Sequence, residues 1–454
     1  MVYMKIMPES TPFKSSLDVY EWMSGFIKQE RQNNPRLYRL ERMKTYMDFL
    51  GHPELSIPSI HTAGSKGKGS VTGIITSILQ AKGIKTARYA SPHLNDFRER
   101  VSLGNEFFPE EIYSSAGNEL RSMADSLQKD MEITFFDLMT CWYFLCARHS
   151  SCGALAVETG LGGRIDATNI IDPLVSVITI IELEHTEILG DTIAAIAGEK
   201  AGIIKPGRPL VLAEQKNEAL EVFIKHAQEK NSPLIYFPLH AEVKNIRFDR
   251  NGTFFDLHPK SNLLDKIYSN LHIGIPGIVQ AYNASLAILA VKTAYPDISE
   301  EQIRRGINYF TLPGRFERIM EKPELIIDGA HTGKSMELCQ KTFTDLYGTG
   351  GILIFGCADG KDLKTMAELC TPNFSKIFIT APGNFKKSNP EAIYSVFHEE
   401  NKKLPSPCEI ILIPDTDEAI NKAIEAGLKE NLPVLGTGSF YLAGEIRQKA
   451  LDAS

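Results

Sequence analysis

"HTAGSKGKGS", residues 61–70, decides how this chain reads. It lies between an apolar run that predicts a short strand over 57–63 and a periodic run that predicts a helix over Val71–Lys82. Where a strand hands over to a helix, unpaired backbone N–H groups and the positive end of the helix dipole converge on one point, which is an anion site. Glycines there let the backbone approach phosphate oxygens without a Cβ in the way. The stretch therefore predicts a phosphate-cradling loop made by Gly64, Ser65, Lys66, Gly67, Lys68, Gly69 and Ser70, with Lys68 reaching terminal phosphates and Ser70 facing Mg²⁺. The spelling departs from G-x-x-x-x-G-K-[ST], because Gly69 separates Lys68 from Ser70; the competing reading is a solvated glycine-rich turn.

Outward from this loop, short apolar runs alternate with amphipathic stretches, the pattern of a mainly parallel sheet covered by helices. Strands are predicted at Lys85–Ala90, Ala154–Val157, Val175–Ile181 and Pro209–Ala213. The alternation restarts after residue 313 with "ELIID", "GILIF", "KIFIT", "EIILI" and "PVLGT", so the chain divides into 1–312 and a smaller α/β unit, 313–454, with Pro313–Gly314 as hinge. Residues 240–272 alternate with period two around Asn251–Gly252 and predict an antiparallel insertion on the first unit. "GTGSF" (436–440) lacks a third glycine at dinucleotide spacing and reads as a strand-end turn.

At 454 residues, with 43% hydrophobic and 23% charged residues, the chain is globular and long enough for two to three domains. A net charge of -7 offers no global attraction to nucleic acid or to an anionic membrane, and a small phosphate-bearing ligand fits better. No run approaches the length of a membrane span, and "MVYMKIMPESTPFK" lacks a leader's apolar region. The seven cysteines show no metal spacing and read as buried thiols in a reducing compartment, so the expectation is a cytoplasmic monomer.

Five segments in order, "HTAGSKGKGS", "ASPHLNDFRERV", "ETGLGGRIDATNII", "EHTEILGDTIAAIAGEKAGIIK" and "LPGRFERI…IIDGAH", together resemble the folylpolyglutamate synthase and dihydrofolate synthase family of the Mur-ligase superfamily over about residues 36–445. The resemblance implies an N-terminal P-loop ATPase domain and a C-terminal Rossmann-like domain, with ATP and substrate between them. It implies ATP-dependent ligation of L-glutamate to a folate or to dihydropteroate through an acyl phosphate, with small molecules as the partners. Two Mg²⁺ sites are implied, drawn from Ser70, Ser91, Glu158, His185 and Lys200, with Lys200 carbamylated so that it offers anionic oxygens. A carbamate needs a neutral amine, so the Lys200 pKa should be depressed.

By the same resemblance Lys68, Lys200 and His331 are catalytic, and Gln280, Asn283, Arg315 and Asp328 contact the nucleotide. Thr134, Phe135, Phe136, Asp137, Arg164 and Asp166 belong to the pterin side, and "GCADGKD" (356–362) is placed near glutamate. The chain departs from the family in carrying Glu184 before His185, Asp137 where Glu is frequent, and Thr332–Gly333 after His331. Two other readings compete: a muropeptide-type Mur ligase, and a nucleotide-binding switch without ligation.

Overall fold

The computed structural model describes residues 11–27, 40–127, 132–383 and 387–452; the first ten residues, read above for the missing leader, lie outside these. Seven strands form the first sheet: β1 Ser59–Ala63, β2 Thr86–Tyr89, β3 Val101–Leu103, β4 Ala154–Glu158, β5 Val175–Ile178, β6 Leu210–Leu212 and β7 Leu234–Tyr236. Their order is β3-β2-β4-β1-β5-β6-β7, and every pairing is parallel except β3 on β2. All five residues of central β1 are buried, which is why it shows no polar–apolar alternation; the buried His61 ring meets Thr168 Oγ1 through Nε2 at 2.9 Å. Its carboxyl end, at the middle of the sheet edge where α/β proteins take ligands, leads straight into residues 64–70.

The next helix, Lys68–Ala81, begins three residues before the predicted Val71, because Gly67 in the left-handed region (φ 87°) ends the turn and serves as its N-cap. It packs against two helices, Ile278–Ala294 and Glu300–Tyr309, and supplies Val71, Ile74, Ile75 and Ile78 to the largest apolar core. A second core lies under the helix Phe135–His149, whose Trp142, Tyr143 and Phe144 are fully buried and whose first turn is capped by Thr134.

The predicted insertion is an antiparallel sheet of β8 Ala241–Asp249, β9 Gly252–Pro259 and β10 Tyr268–Ile273. Its tight turn is Arg250–Asn251, one residue earlier than expected, because Gly252 already pairs with Asp249. The third sheet holds β11 Glu317–Glu321, β12 Glu324–Ile327, β13 Gly351–Phe355, β14 Phe374–Ile379, β15 Glu409–Leu412 and β16 Val434–Thr437, in the order β11-β12-β16-β13-β14-β15. Only β11 runs antiparallel, on β12. The chain is thus α/β with two mostly parallel sheets, the smaller one C-terminal. The edge strands β3, β7 and β11, three to five residues long, are not among the expected strands. Strand β5 stops at Ile178 rather than Ile181, since Ile180 turns away to bridge Lys66. Among the described residues no helix is long and apolar enough to cross a membrane.

Candidate active site

Residues 64–70 are pinned from below. The Ser65 N–H donates to Ile180 O at 2.9 Å and the Ser65 hydroxyl to Glu182 O at 3.0 Å. A Cβ on Gly64 would lie 1.8 Å from Thr179 Oγ1, and one on Gly67 would lie 2.7 Å from Asn283 Oδ1. Both glycines have positive φ, so the pattern of small residues reflects backbone geometry as well as contact. Gly67 has no side chain to cap the helix, so the first-turn N–H groups stay available to an anion.

Two lysines meet on one carbonyl behind this loop. Lys68 Nζ donates to Gly64 O at 3.0 Å and Lys200 Nζ to the same oxygen at 2.9 Å. Lys200 sits in the last turn of the helix Ile193–Ala201, capped by Thr192, one of the two caps anticipated. It is 1% exposed and pairs with Glu184 Oε1 at 2.9 Å, so Glu184 reaches the lysine directly. Burial, and then the Lys68 charge, push the Lys200 ammonium down to about 8 against the pull of Glu184. Burial works to raise the Glu184 carboxyl, but Lys68, Lys200 and Lys66 outweigh it and hold it below its usual range. Burial also lowers Lys66.

Glu158 ends β4 and is 4% exposed, its carboxylate 3.5 Å from the Cβ position of Gly69 and accepting from Ser91 N–H at 3.4 Å. No lysine or arginine closes an ion pair on it among the described residues. Burial raises its pKa, opposed by Lys68, Arg315 and Arg88. An underpaired buried carboxylate beside the Ser70 and Ser91 positions is an oxygen donor set that fits Mg²⁺, which usually takes one or two carboxylates and fills the remainder with phosphate and water. His185 stands in the left-handed region with its side chain about half exposed, and its imidazole is lowered by burial. Among the described residues, no three His, Cys, Asp or Glu side chains converge as a preformed metal cage.

The smaller lobe faces the loop across a cavity of about 410 Å³. Lys66, Gly67, Gly69, Ser70, Gln280 and Asn283 line it on one side, and Arg315, Asp328 and His331 on the other. Arg315 lies over the Phe440 ring at 4.0 Å, and burial lowers its guanidinium against the attraction of Asp328 and Glu158. Asp328 accepts from Phe316 N–H at 2.9 Å and Ala330 N–H at 2.8 Å, which fixes the turn after β12. His331 donates from Nδ1 to Gly329 O at 2.8 Å, leaving Nε2 as an acceptor; burial pushes its pKa down to about 4, so it is neutral at pH 7. Thr332, where the family carries Asn, caps the helix Gly333–Tyr347 in a reciprocal capping box, so the departure preserves the turn.

Sequence reading missed several residues here. Phe248 from β8 and Phe440 line the cavity, and Lys361 adds its positive charge to the field on Lys66 and His331. Only Lys361 carried a signal, as the lone cation of "GCADGKD".

The pterin-side candidates lie away from this cavity. Phe135 is buried edge-on to Tyr20, and Phe136 is half-buried, so of the two only Phe136 keeps an accessible face. Thr134 receives the Asp137 N–H at 3.2 Å, and Asp137 pairs with Arg42 at 3.2 Å. Asp166 accepts from the N–H groups of Leu161 (2.8 Å) and Thr168 (3.0 Å), a loop-organising task. Arg164 is exposed and holds Glu199 at 2.8 Å.

Known proteins share this arrangement end to end. The family model "Mur ligase middle domain" matches residues 62–291 and "Mur ligase, glutamate ligase domain" matches 314–440. Dihydrofolate synthase/folylpolyglutamate synthase of Bacillus subtilis (strain 168) is 32% identical, covering 96% of this chain and 99% of its own. Folylpolyglutamate synthase of Lacticaseibacillus casei is 30% identical over 92% and 96%. The crystal structure of Mycobacterium tuberculosis folylpolyglutamate synthase complexed with ADP and AMPPCP superposes with a TM-score of 0.84 at 26% identity, covering 96% of this chain and 99% of that one. With the middle-domain model spanning half its length, and with motif order, fold and near-complete coverage agreeing, the chain belongs to the folylpolyglutamate synthase and dihydrofolate synthase family of Mur ligases.

Proposed function

We propose that this enzyme joins the amine of L-glutamate to the carboxylate of a folate, of dihydropteroate, or of both, with Mg-ATP as phosphoryl donor. The reading divides the work between residues 1–312, which bind and activate, and 313–454, which close over the nucleotide. The observation that carries it is the cavity shared by the 64–70 loop and by Arg315, Asp328 and His331, in a chain of this family.

A carboxylate is a poor electrophile. Transfer of the γ-phosphoryl group to a carboxylate oxygen gives ADP and an acyl phosphate; the glutamate nitrogen then attacks the carbonyl carbon, inorganic phosphate leaves, and the amine sheds a proton. Phosphoryl transfer is mostly positioning and charge stabilisation. Residues 64–70 act as the phosphate loop, the uncapped first-turn amides that follow Gly67 holding phosphate oxygens and Lys68 adding charge. Arg315, brought from the smaller lobe, balances charge on the transferring group. Neutral His331 offers Nε2 as a hydrogen-bond acceptor to the incoming amine.

Ser70, Ser91 and Glu158 would hold one Mg²⁺, and His185 with Lys200 a second; bound there, the ions would neutralise phosphate charge. Lys200 fits that role only as a carbamate, since an ammonium repels a cation, and its lowered pKa favours the neutral amine that carbamylation needs. Thr134, Phe136, Asp137, Arg164 and Asp166 would lie on the pterin side, with Phe135 acting from the core behind them. The protein would work as a cytoplasmic monomer.

Steady-state assay of ADP release with dihydropteroate and with tetrahydrofolate in parallel, each with and without glutamate, tests the reading. ATP hydrolysis indifferent to these substrates would overturn it in favour of a switch, and ligation of a muropeptide instead would move the chain to the sibling branch.

A further inference from the structure

The loop that carries Ser91 continues as His93-Leu94-Asn95 and leaves the first lobe. Its far end is fastened to that lobe: the Glu99 carboxylate accepts three successive N–H groups, from Leu94 at 2.7 Å and from Asn95 and Asp96 at 3.0 Å. Its tip is fastened to the other lobe. Leu94 packs against the apolar core of the third sheet, with its side chain 3.0 Å from the Cβ position of Gly314. Its carbonyl oxygen lies 2.8 Å from the Cβ position of Gly444, and Asn95 Nδ2 donates to Gly444 O at 2.7 Å. Gly444 sits inside the helix Phe440–Asp452, where glycine is disfavoured against alanine; the close approach of Leu94 accounts for it. Gly314 immediately precedes Arg315, and Phe440, on which Arg315 rests, begins that same helix.

We propose that Leu94 and Asn95 are positioning residues: seated between Gly314 and Gly444, they tie docking of the smaller lobe to the placement of Arg315 over the cavity, without touching substrate themselves. The inference rests on the ligase reading above, whose failure would show separately as a parent enzyme that does not ligate.

The test is a double-mutant cycle on kcat for ADP release in the presence of glutamate and folate substrate. Leu94→Ala should lower kcat at least tenfold, Leu94→Met should stay within threefold of the parent, and Asn95→Asp, which sets an acceptor against the Gly444 carbonyl, should match Leu94→Ala. In an Arg315→Ala background, Leu94→Ala should cost less than a further threefold, since its effect runs through Arg315. Additive losses would mean a merely structural contact, and a Leu94→Ala enzyme within threefold of the parent would refute the coupling outright. Should Leu94→Ala fail to fold, Asn95→Asp, which changes no volume, carries the same cycle and the same two refuting outcomes.

Discussion

Replacing Lys200 tests the chemistry at its least ordinary point. The lysine is 1% exposed and its pKa is about 8, from an ordinary 10.5, through burial and then Lys68. At pH 7 roughly one amine in ten is neutral, against roughly one in three thousand for a free lysine, so the amine is about 300-fold more available to CO₂. The sign for stability follows from proton binding. Between about pH 8 and 10.5 the unfolded chain holds a proton that the folded chain does not, so stability rises with pH there, and the buried ammonium costs ~3 kcal/mol at neutral pH. Lys200→Ala should lower kcat by about 10²–10³-fold, the scale of removing one preorganised charge-stabilising group. Acetate or formate should restore activity about tenfold by occupying the vacated space as an anion, while Lys200→Met, which fills that space, should not be rescued. Bicarbonate-depleted buffer should slow the parent enzyme and leave Lys200→Ala unchanged. Kinetics of ADP release read all of these. A Lys200→Ala enzyme within threefold of the parent, or a loss that no small acid restores, would sink the carbamate.

Lys68→Ala should abolish measurable turnover with the circular dichroism spectrum unchanged, since its one hydrogen bond among the described residues is to the Gly64 carbonyl and it takes no part in the apolar core; full activity would mean the loop has been misread. Gly64→Ala should raise the KM for ATP more than tenfold and lower stability by about 2 kcal/mol, because its Cβ would meet Thr179 Oγ1 at 1.8 Å in a region side chains avoid; chemical denaturation and initial rates check both. Asp137 is pushed up by burial to about 6, against the pull of Arg42. Its folded pKa lies above the unfolded value, so the folded state binds the extra proton and stability from this group rises as pH falls from about 7 towards 4; Asp137→Asn should flatten that part of the denaturation profile.

The parts legible in sequence are those in which one local rule acts alone. Residues 64–70 were readable because a turn that exposes backbone amides demands glycine, and the strand-helix handover around it is local. Strand ends carrying Glu158 and Asp328 were readable because buried parallel strands are short apolar runs closed by a polar residue. What was not legible depends on partners far along the chain. The Phe440 platform under Arg315 and the reach of Lys361 towards His331 arise only when the third sheet is assembled, because β16, which leads to Phe440, then lies beside β12, which leads to His331. Phe135 is placed on the pterin side by the resemblance alone, and its edge-on contact with Tyr20, over a hundred positions earlier, packs it in the core. The Lys200–Glu184 pair joins a loop to a helix and has no period to betray it.

These separate features express one electrostatic design. The chain as a whole is acidic, at -7, yet Lys66, Lys68, Lys200, Arg315 and Lys361 act on the same cleft. Burial lowers Lys66, Lys200 and Arg315 alike, and the lysines add to it by mutual repulsion. Of the carboxylates that answer them, Glu158 and Asp328 are themselves buried and raised, Glu184 is already committed to Lys200, and Glu182 acts on Lys66 from the cavity wall. The cleft therefore stands short of negative charge inside a negative molecule, and the shortage is met by what enters it. On the function proposed above, a triphosphate bearing Mg²⁺ would supply that charge to both lobes at once. The loop amides of 67–70 would take it from one side and Arg315 from the other, so that the energy of ligand binding would also be the energy of closing the lobes. In a cleft so arranged, charge moving from the phosphate chain onto the acyl group would stay within reach of fixed cations throughout, and little reorganisation would be left for the moment of transfer.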